Sequence, residues 1–426
     1  MQTLDDYHWL VSDTGRDWLV RVSTDARLSS ETNLRKAGLS STRAALVAEQ
    51  IELRRRAARR FQHADQLFFT TKSLQQATDG RIATYKATRF AARTVIDLCC
   101  GLGGDLLGLG ARGPALGIDA DPLLALLAEV NCRTLGLSQA SAQVGDACSI
   151  GVAPETAIHI DPDRRPGGRR TVQLAQHEPD LTQRAEWRTH PGGLAIKLAP
   201  ATETHDAFFA DAELEWIGHS RECQQLVSWF GPLTNRPGRR TATVLQQDGS
   251  ATTLVGNDAP PLRLTDQLGP YLCEPASPVL AAGLAGTLAQ QFDLDALTPG
   301  GGYLSGSQPL TSPWHQTFEL IDQCAWREKN VKRMLTAHGV GPLEIKKRGV
   351  ELDTGYWQRR LSGREGQTAC LFILPVGRRN LALLARRLQR NAASQTQAST
   401  NTESGNAVAA RSRTGHEASG AAPHDE

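Results

Sequence analysis

Apolar and polar positions follow three different rhythms along this chain. Up to about Ala92 the spacing is helical, and Ser41 to Phe61 is the best example. There a serine cap precedes good helix formers, with Leu46, Val47, Ile51 and Leu53 among charged residues. The arginines on that segment (Arg54, Arg55, Arg56, Arg59, Arg60) are expected to form a solvated face. From Thr94 short apolar runs alternate with helical stretches. Thr94–Cys100, Pro114–Asp119, Ala142–Val144, Thr156–Asp161 and Leu194–Leu198 read as five strands. Segments near Glu215–His219, Leu226–Phe230 and Thr241–Leu245 extend the set. Asp121 followed by Pro122 is a cap and first-turn pair, opening a helix through Leu123, Leu124, Leu127 and Val130 that stops at Gly136. Strand–helix alternation of this kind predicts an α/β fold with a doubly wound, largely parallel Rossmann-like sheet.

The chain divides accordingly into a helical N-terminal region (1–92), the α/β domain (93–263), a connecting region (264–316) with the turn Gly300–Gly302, a compact α+β module (317–390) and a tail (391–426). The tail is rich in Ala, Ser, Thr and Gly, with too few bulky apolar residues to fold, and is expected to be disordered. The formal charge of +2 conceals an asymmetry. From Trp326 to Arg390 there are 15 Lys or Arg against 5 Asp or Glu, leaving 32 against 40 elsewhere. Concentrated positive charge suits a polyanion, because each neutralised phosphate releases counterions. Within it Lys346, Lys347 and Arg348 sit on a strand-to-turn edge, followed by Arg359, Arg360, Arg378 and Arg379, with Trp326, Tyr356 and Trp357 interleaved. Cations position phosphates and aromatics offer stacking faces, which suits RNA. Core anchoring is the competing reading for the tryptophans. No apolar run approaches the roughly 18 residues that cross a bilayer, and the first ten residues lack a signal-peptide pattern. A cytoplasmic location is therefore expected. The eight cysteines contain no CxxC pair, so no structural zinc site or other metal is expected and most are incidental thiols.

Candidate chemistry concentrates at three strand ends. In Val95-Ile96-Asp97-Leu98-Cys99-Cys100-Gly101-Leu102-Gly103-Gly104 a strand ends, a carboxylate follows, and glycines admit a ligand to the start of a helix. A dinucleotide fingerprint needs a third glycine where Leu106 stands. Its absence, with Asp97 ahead of the glycines, favours the amino-acid end of S-adenosylmethionine over a pyrophosphate. Asp97 then faces the cationic methionine portion through the turn's backbone or a water. Asp119, with Ala120 beside it, ends the second strand and suits both ribose hydroxyls. Asp146, with Ala147 beside it, ends the third and suits the adenine amino group. Three acids at successive strand ends lie where open α/β sheets bind ligands.

This segment resembles motif I of the class I S-adenosylmethionine-dependent methyltransferases, with Cys99 in place of the first glycine of acid-x-Gly-x-Gly-x-Gly. The region from Phe68-Phe69-Thr70 through Gly104 is similar to the trimethylguanosine synthase group, which implies Phe69 and Thr70 as lid contacts over the cofactor. Leu74-Gln75-Gln76-Ala77-Thr78 and Glu344-Ile345-Lys346-Lys347-Arg348-Gly349 resemble a bacterial methyltransferase family with a C-terminal THUMP-like domain. That likeness covers about residues 40–390 and implies RNA as substrate.

Two catalytic readings stay open. Asp161-Pro162-Asp163-Arg164-Arg165 occupies the place where nucleic-acid amino methyltransferases carry Asp or Asn, Pro, Pro and an aromatic. Here Asp163 and Arg164 replace the last two, and Arg164 and Arg165 suit stacking on a base or clamping a phosphate. Pairing of these arginines with neighbouring acids is the structural alternative. The other reading starts from Lys197, a lysine in an apolar strand that needs a carboxylate partner, with Asp161 on the adjacent strand end. Lys86, Asp161, Lys197 and Glu222 resemble, in order, the Lys-Asp-Lys-Glu tetrad of ribose 2′-O-methyltransferases. Lys86 also reads as an ordinary helical surface lysine. His159 is expected to be a core or opposite-face histidine, pointing away from Asp161. A catalytically inactive RNA-binding protein on the same fold, and an enzyme acting on small molecules, are the alternatives to an RNA methyltransferase.

Overall fold

The computed structural model describes residues 2–28, 30–163, 171–205, 207–219, 222–257 and 260–389. Arg164, Arg165 and the segment 391–426, all singled out in the sequence, lie outside the described residues. The chain forms two compact units, one of Met1–Gln267 with Glu274–Ser305, the other of Leu268–Cys273 with the described residues from Gly306 on.

In the first unit, helices α1 (Leu4–Val11), α2 (Asp13–Thr24), α3 (Glu31–Lys36) and α4 (Ser41–Ala57) precede α5 (Thr71–Gln76) and α6 (Gly80–Thr88). A serine does cap α4, Ser40 accepting from Arg43 N, and the helix stops at Ala57. Two of its expected solvent-facing arginines turn inward. Arg54 donates to the Leu67 carbonyl at 2.9 Å, and burial lowers its pKa to about 10. Arg60 donates to the carbonyls of Leu74 and Ala77. Arg54 thereby serves acceptors of the irregular segment 58–70, and Arg60 serves acceptors at the C-terminal end of α5.

The strands then follow as read: β1 (Val95–Leu98), β2 (Ala115–Asp119), β3 (Ala140–Val144), β4 (Ala157–Ile160) and β5 (Leu194–Leu198), with α7 (Gly104–Arg112) and α8 (Pro122–Thr134) between the first three. Next come β6 (Glu213–His219), β7 (Glu222–Phe230), β8 (Arg240–Leu245) and β9 (Ala251–Gly256). These nine strands form one sheet in the order β3-β2-β1-β4-β5-β7-β6-β8-β9, with β7 and β9 antiparallel to the rest. The buried strands β1, β4 and β5 are apolar on both faces apart from Asp97, His159 and Lys197, as a sheet covered on both sides requires. Strand order reverses between β1 and β4, which opens a crevice beyond their carboxyl ends. The N-terminal helices and β1 share one hydrophobic core, including Leu10, Val47, Phe68, Phe90 and Val95.

A buried polar cluster lies at β6. Arg89 donates to Glu213 at 2.8 Å and to Glu215 at 3.3 Å, while Tyr85, Trp229 and Thr243 also donate to Glu215. Removing the cation leaves the buried Glu215 without a positive partner among the described residues, while Glu213 keeps Arg236 at 3.6 Å. Arg89→Met is expected to lower stability by about 3–5 kcal/mol, read as a reduced denaturation midpoint.

Beyond β9 come β10 (Tyr271–Pro275), α9 (Ser277–Ala281), α10 (Ala285–Phe292) and the antiparallel pair β11 (Asp295–Ala296) and β12 (Leu304–Gly306). The second unit carries β13 (His315–Ala325), α11 (Glu328–Ala337), β14 (Val340–Lys347), α12 (Thr354–Leu361), β15 (Gln367–Val376) and β16 (Arg379–Arg387). Its strands run β13-β16-β15-β14, with β14 parallel to β15 at the edge. No helix among the described residues is long and apolar enough to cross a membrane.

Candidate active site

The turn after β1 is shaped for close approach. Cys99 takes φ +57°, a left-handed conformation that costs a non-glycine residue about 1 kcal/mol or more. Gly101 takes φ +59°, and a Cβ there would project into open space. Together these residues aim the backbone at a cleft of about 740 Å³, lined among others by Asp97, Cys99, Gly101, Asp119, Ala120, Asp146, Ala147, Asp161 and Lys197. That volume lies in the usual range for a small-molecule site. Asp119 is held ready: its Oδ2 accepts from the Gly101 N–H at 2.8 Å and its Oδ1 from the Asp121 N–H at 3.0 Å. Each oxygen retains a lone pair for an incoming hydroxyl. Burial raises the Asp119 pKa, and those two backbone donors oppose it. Asp146 accepts from Cys148 N at 2.9 Å and from Ser149 Oγ at 2.6 Å; these bonds, the serine's foremost, lower its pKa.

Two expected cofactor residues do not line this cleft. Gly103 takes φ +93° and caps α7, serving the turn's geometry. Thr70 caps α5, its side chain accepting from Ser73 N, so the following residues Lys72, Ser73, Gln75 and Gln76 line the wall in its place. Phe69 is buried in the core beside Phe61.

Below the cleft runs a continuous line of buried ionisable groups. Sheet register sets its ends: Asp97 pairs with His159 across β1 and β4, and Ile160 with Ile196 across β4 and β5, bringing Asp161 beside Lys197. His159 Nδ1 lies 2.6 Å from Asp97 Oδ1, and Lys86 Nζ lies 3.2 Å from His159 Nε2. Lys86 pairs with Asp105 Oδ1 at 2.6 Å. Lys197 lies 3.8 Å from Asp105 Oδ2 and 2.5 Å from Asp161 Oδ2. Thr78 Oγ1 donates to Asp105 at 2.5 Å. Despite burial, which alone raises a carboxyl pKa, the Lys86 and Lys197 ammonium groups hold Asp105 well below the ordinary range. Burial lowers the pKa of Lys86, and Asp105 works against it. Lys86 is reached because α6 and α7 lie close at Gly108, where a Cβ would sit 2.6 Å from the Ala83 carbonyl carbon.

The structure thus joins Asp161, Lys197 and Lys86, but differently from a compact tetrad. Lys86 is a buried partner of Asp105, neither a surface lysine nor a direct partner of Asp161 in the ion pairs described. Glu222 is exposed, accepts from Gln224 at 3.3 Å, and is not among the cleft-lining residues. His159 is a core histidine as expected, yet it shares the face of Asp161: two residues apart is a full strand period. Sequence reasoning missed Asp105, Thr78 and Asn131. Asn131 accepts from Phe68 N at 2.8 Å and donates to Phe68 O and Leu102 O, tying the glycine turn to the segment before α5. Only a mid-helix asparagine amid apolar neighbours hinted at it.

In the second unit, Lys347 and Arg348 are exposed at the end of edge strand β14, Lys347 donating to the Leu352 carbonyl at 2.6 Å. Lys346 pairs with Glu344 at 3.6 Å, and Arg360 with Glu328 at 2.7 Å. Trp326 and Trp357 stack edge to face at 5.0 Å against the unit's core, as anchors, while Tyr356 is exposed.

The cleft fits the cofactor that the sequence pointed to. Asp97 lines it, fully buried, and its Oδ2 has no hydrogen-bond partner among the described residues, which suits a cationic group. Asp119 and Asp146 stand at the next strand ends. Residues 315–387 match a family model described as THUMP domain-like. An uncharacterised S-adenosylmethionine-dependent methyltransferase of Mycobacterium tuberculosis, found in two strains, is 29% identical over 353 residues, spanning 80% of this chain and 95% of the relative. A crystal structure of a proposed methyltransferase from Porphyromonas gingivalis W83 shares the fold with a TM-score of 0.70, at 21% identity over 83% of this chain and 92% of that one. The chain is therefore a homologue of the S-adenosylmethionine-dependent methyltransferases, with a THUMP-like domain at its C-terminal end.

Proposed function

We propose that this protein transfers a methyl group from S-adenosylmethionine to RNA, with the α/β unit performing the chemistry and the THUMP-like domain capturing substrate. The observation that carries the reading is Lys197, buried on β5 and held against Asp161 in the same cleft as Asp97, Asp119 and Asp146. When bound, the cofactor supplies an electrophilic methyl group on a sulfonium. The protein's part is to orient the acceptor and take its proton. Asp97 faces the cofactor's ammonium and Asp119 its ribose hydroxyls. Asp146 faces the adenine amino group. Asp161 and Lys197 form the proton-accepting pair at the acceptor, whether a ribose hydroxyl or a base amine. Arg164 and Arg165, next in sequence, are assigned to the RNA itself.

The test is incubation with methyl-labelled S-adenosylmethionine and total RNA, then nuclease digestion and nucleoside mass spectrometry, which separates ribose from base products. Label in RNA supports the proposal. A shift of RNA without label marks an inactive binder, and turnover unchanged by loss of the cationic edge marks a small-molecule enzyme. For that edge, Lys347→Ala and Arg348→Ala are each expected to weaken RNA binding about equally across sequences and to reduce the slope of log affinity against log salt by about 0.7–0.9. Filter binding across a salt series reads both effects.

A further inference from the structure

The buried line of charges does not balance. Among the described residues, Asp97, Asp105 and Asp161 face two ammonium groups, Lys86 and Lys197. His159 supplies no third cation while Lys86 is charged: Nδ1–H donates to Asp97, and Nε2 must accept from Lys86 3.2 Å away. A protonated ring would set N–H against N–H. Asp105 lies between both lysines, and Asp161 is partly exposed and paired, so the surplus negative charge falls on Asp97. That carboxylate is fully buried, its Oδ2 has no hydrogen-bond partner among the described residues, and it lines the cleft. Among the described residues, the other ionisable groups around it bring no positive charge: Cys99 and Cys100 follow it on the turn, Asp119 is on β2 and Cys132 on α8. A buried carboxyl without a counter-ion holds a proton in preference to a bare charge.

We infer that the cofactor-free protein carries one proton on Asp97, and that docking of the cofactor's α-ammonium there releases it to solvent. This rests on the reading that the cleft takes S-adenosylmethionine. The exchange is one cation for another: the Asp97 Oδ2–H bond breaks, its proton passes to buffer, and the ligand's ammonium keeps its own protons and completes the charge balance. His159, Lys86 and Asp105 are positioning residues that fix which oxygen is left for the ligand. Burial raises the Asp97 pKa, so the sign is set: the site is ready above that pKa, and protons compete with the ligand as pH falls through it.

Calorimetric titration of S-adenosylhomocysteine into the full chain tests this in two buffers of different ionisation enthalpy, over a pH series below about 7, where the ligand's amine stays protonated. Binding heats are expected to differ between buffers, corresponding to release approaching one proton per site. Below the Asp97 pKa, affinity should fall by up to about tenfold per pH unit. 5′-Methylthioadenosine, which keeps the nucleoside but lacks the amino acid, should bind with equal heats in both buffers. Asp97→Asn should retain methylthioadenosine binding and bind S-adenosylhomocysteine without buffer dependence. Equal heats for S-adenosylhomocysteine with wild-type protein would overturn the inference, as would proton release that survives in the asparagine variant. Absence of any binding would instead defeat the cofactor reading, and the label-transfer assay judges the RNA reading independently.

Discussion

Lys197→Met is expected to reduce methyl transfer about a thousandfold while cofactor affinity stays within about threefold of wild type, because a positioned proton acceptor contributes roughly 10²–10⁴ in rate. Methionine preserves the stem's volume in the apolar strand β5, so the sheet should persist. The lost ion pair leaves Asp161 at the cleft, where solvent can reach it, and Asp105 retains Lys86 at 2.6 Å. Single-turnover kinetics beside a binding isotherm separates the two quantities. Turnover at the wild-type rate would remove Lys197 from the chemistry and leave it a buried structural cation. Asp161→Asn serves as the companion, since it keeps the shape and a weaker acceptor while removing the charge.

The second large effect is expected at Asp119. Two charge-assisted hydrogen bonds to ribose hydroxyls, each worth about 1.5 kcal/mol net, amount to about 3 kcal/mol, or roughly a hundredfold in affinity. Asp119→Ala is therefore expected to weaken S-adenosylhomocysteine binding by about that factor in calorimetry. The carboxylate also accepts from the Gly101 and Asp121 N–H groups, so part of the loss reflects a looser turn. Asp119→Asn separates the contributions. It keeps one acceptor for the ribose or the backbone and should fall between the two.

The sheet was legible because its strands carry their own signals. β1, β2 and β5 are apolar runs closed by turn residues, and Asp121 before Pro122 caps α8 as read, accepting from Leu123 N at 2.8 Å. Carboxylates at strand ends could be placed from sequence because parallel strands in an open sheet expose their carboxyl ends on one edge. The Asp161–Lys197 pairing followed from adjacency of β4 and β5, which the register bears out geometrically. What failed depended on partners far away in sequence. Lys86 reads as a surface residue of a short helix until α7 packs on α6 and presents Asp105. His159 faces Asp97 only because β4 pairs with β1, an arrangement that residues 157–160 do not encode. Glu222 matched the tetrad's order of residue types, yet chain order does not constrain direction, and its side chain is exposed on β7. Thr70 matched a lid position, but its hydroxyl is committed to capping α5.

Whether the strand-end carboxylates hold a methyl-donating nucleoside is decided by a crystal structure of the protein with S-adenosylhomocysteine. Both ribose hydroxyls are expected within about 2.6–3.0 Å of Asp119, with the ligand's ammonium at Asp97 and the thioether sulfur facing Asp161 and Lys197. A nucleoside bound elsewhere, or a cleft that stays empty at saturating ligand with Asp119 turned away, would contradict this placement.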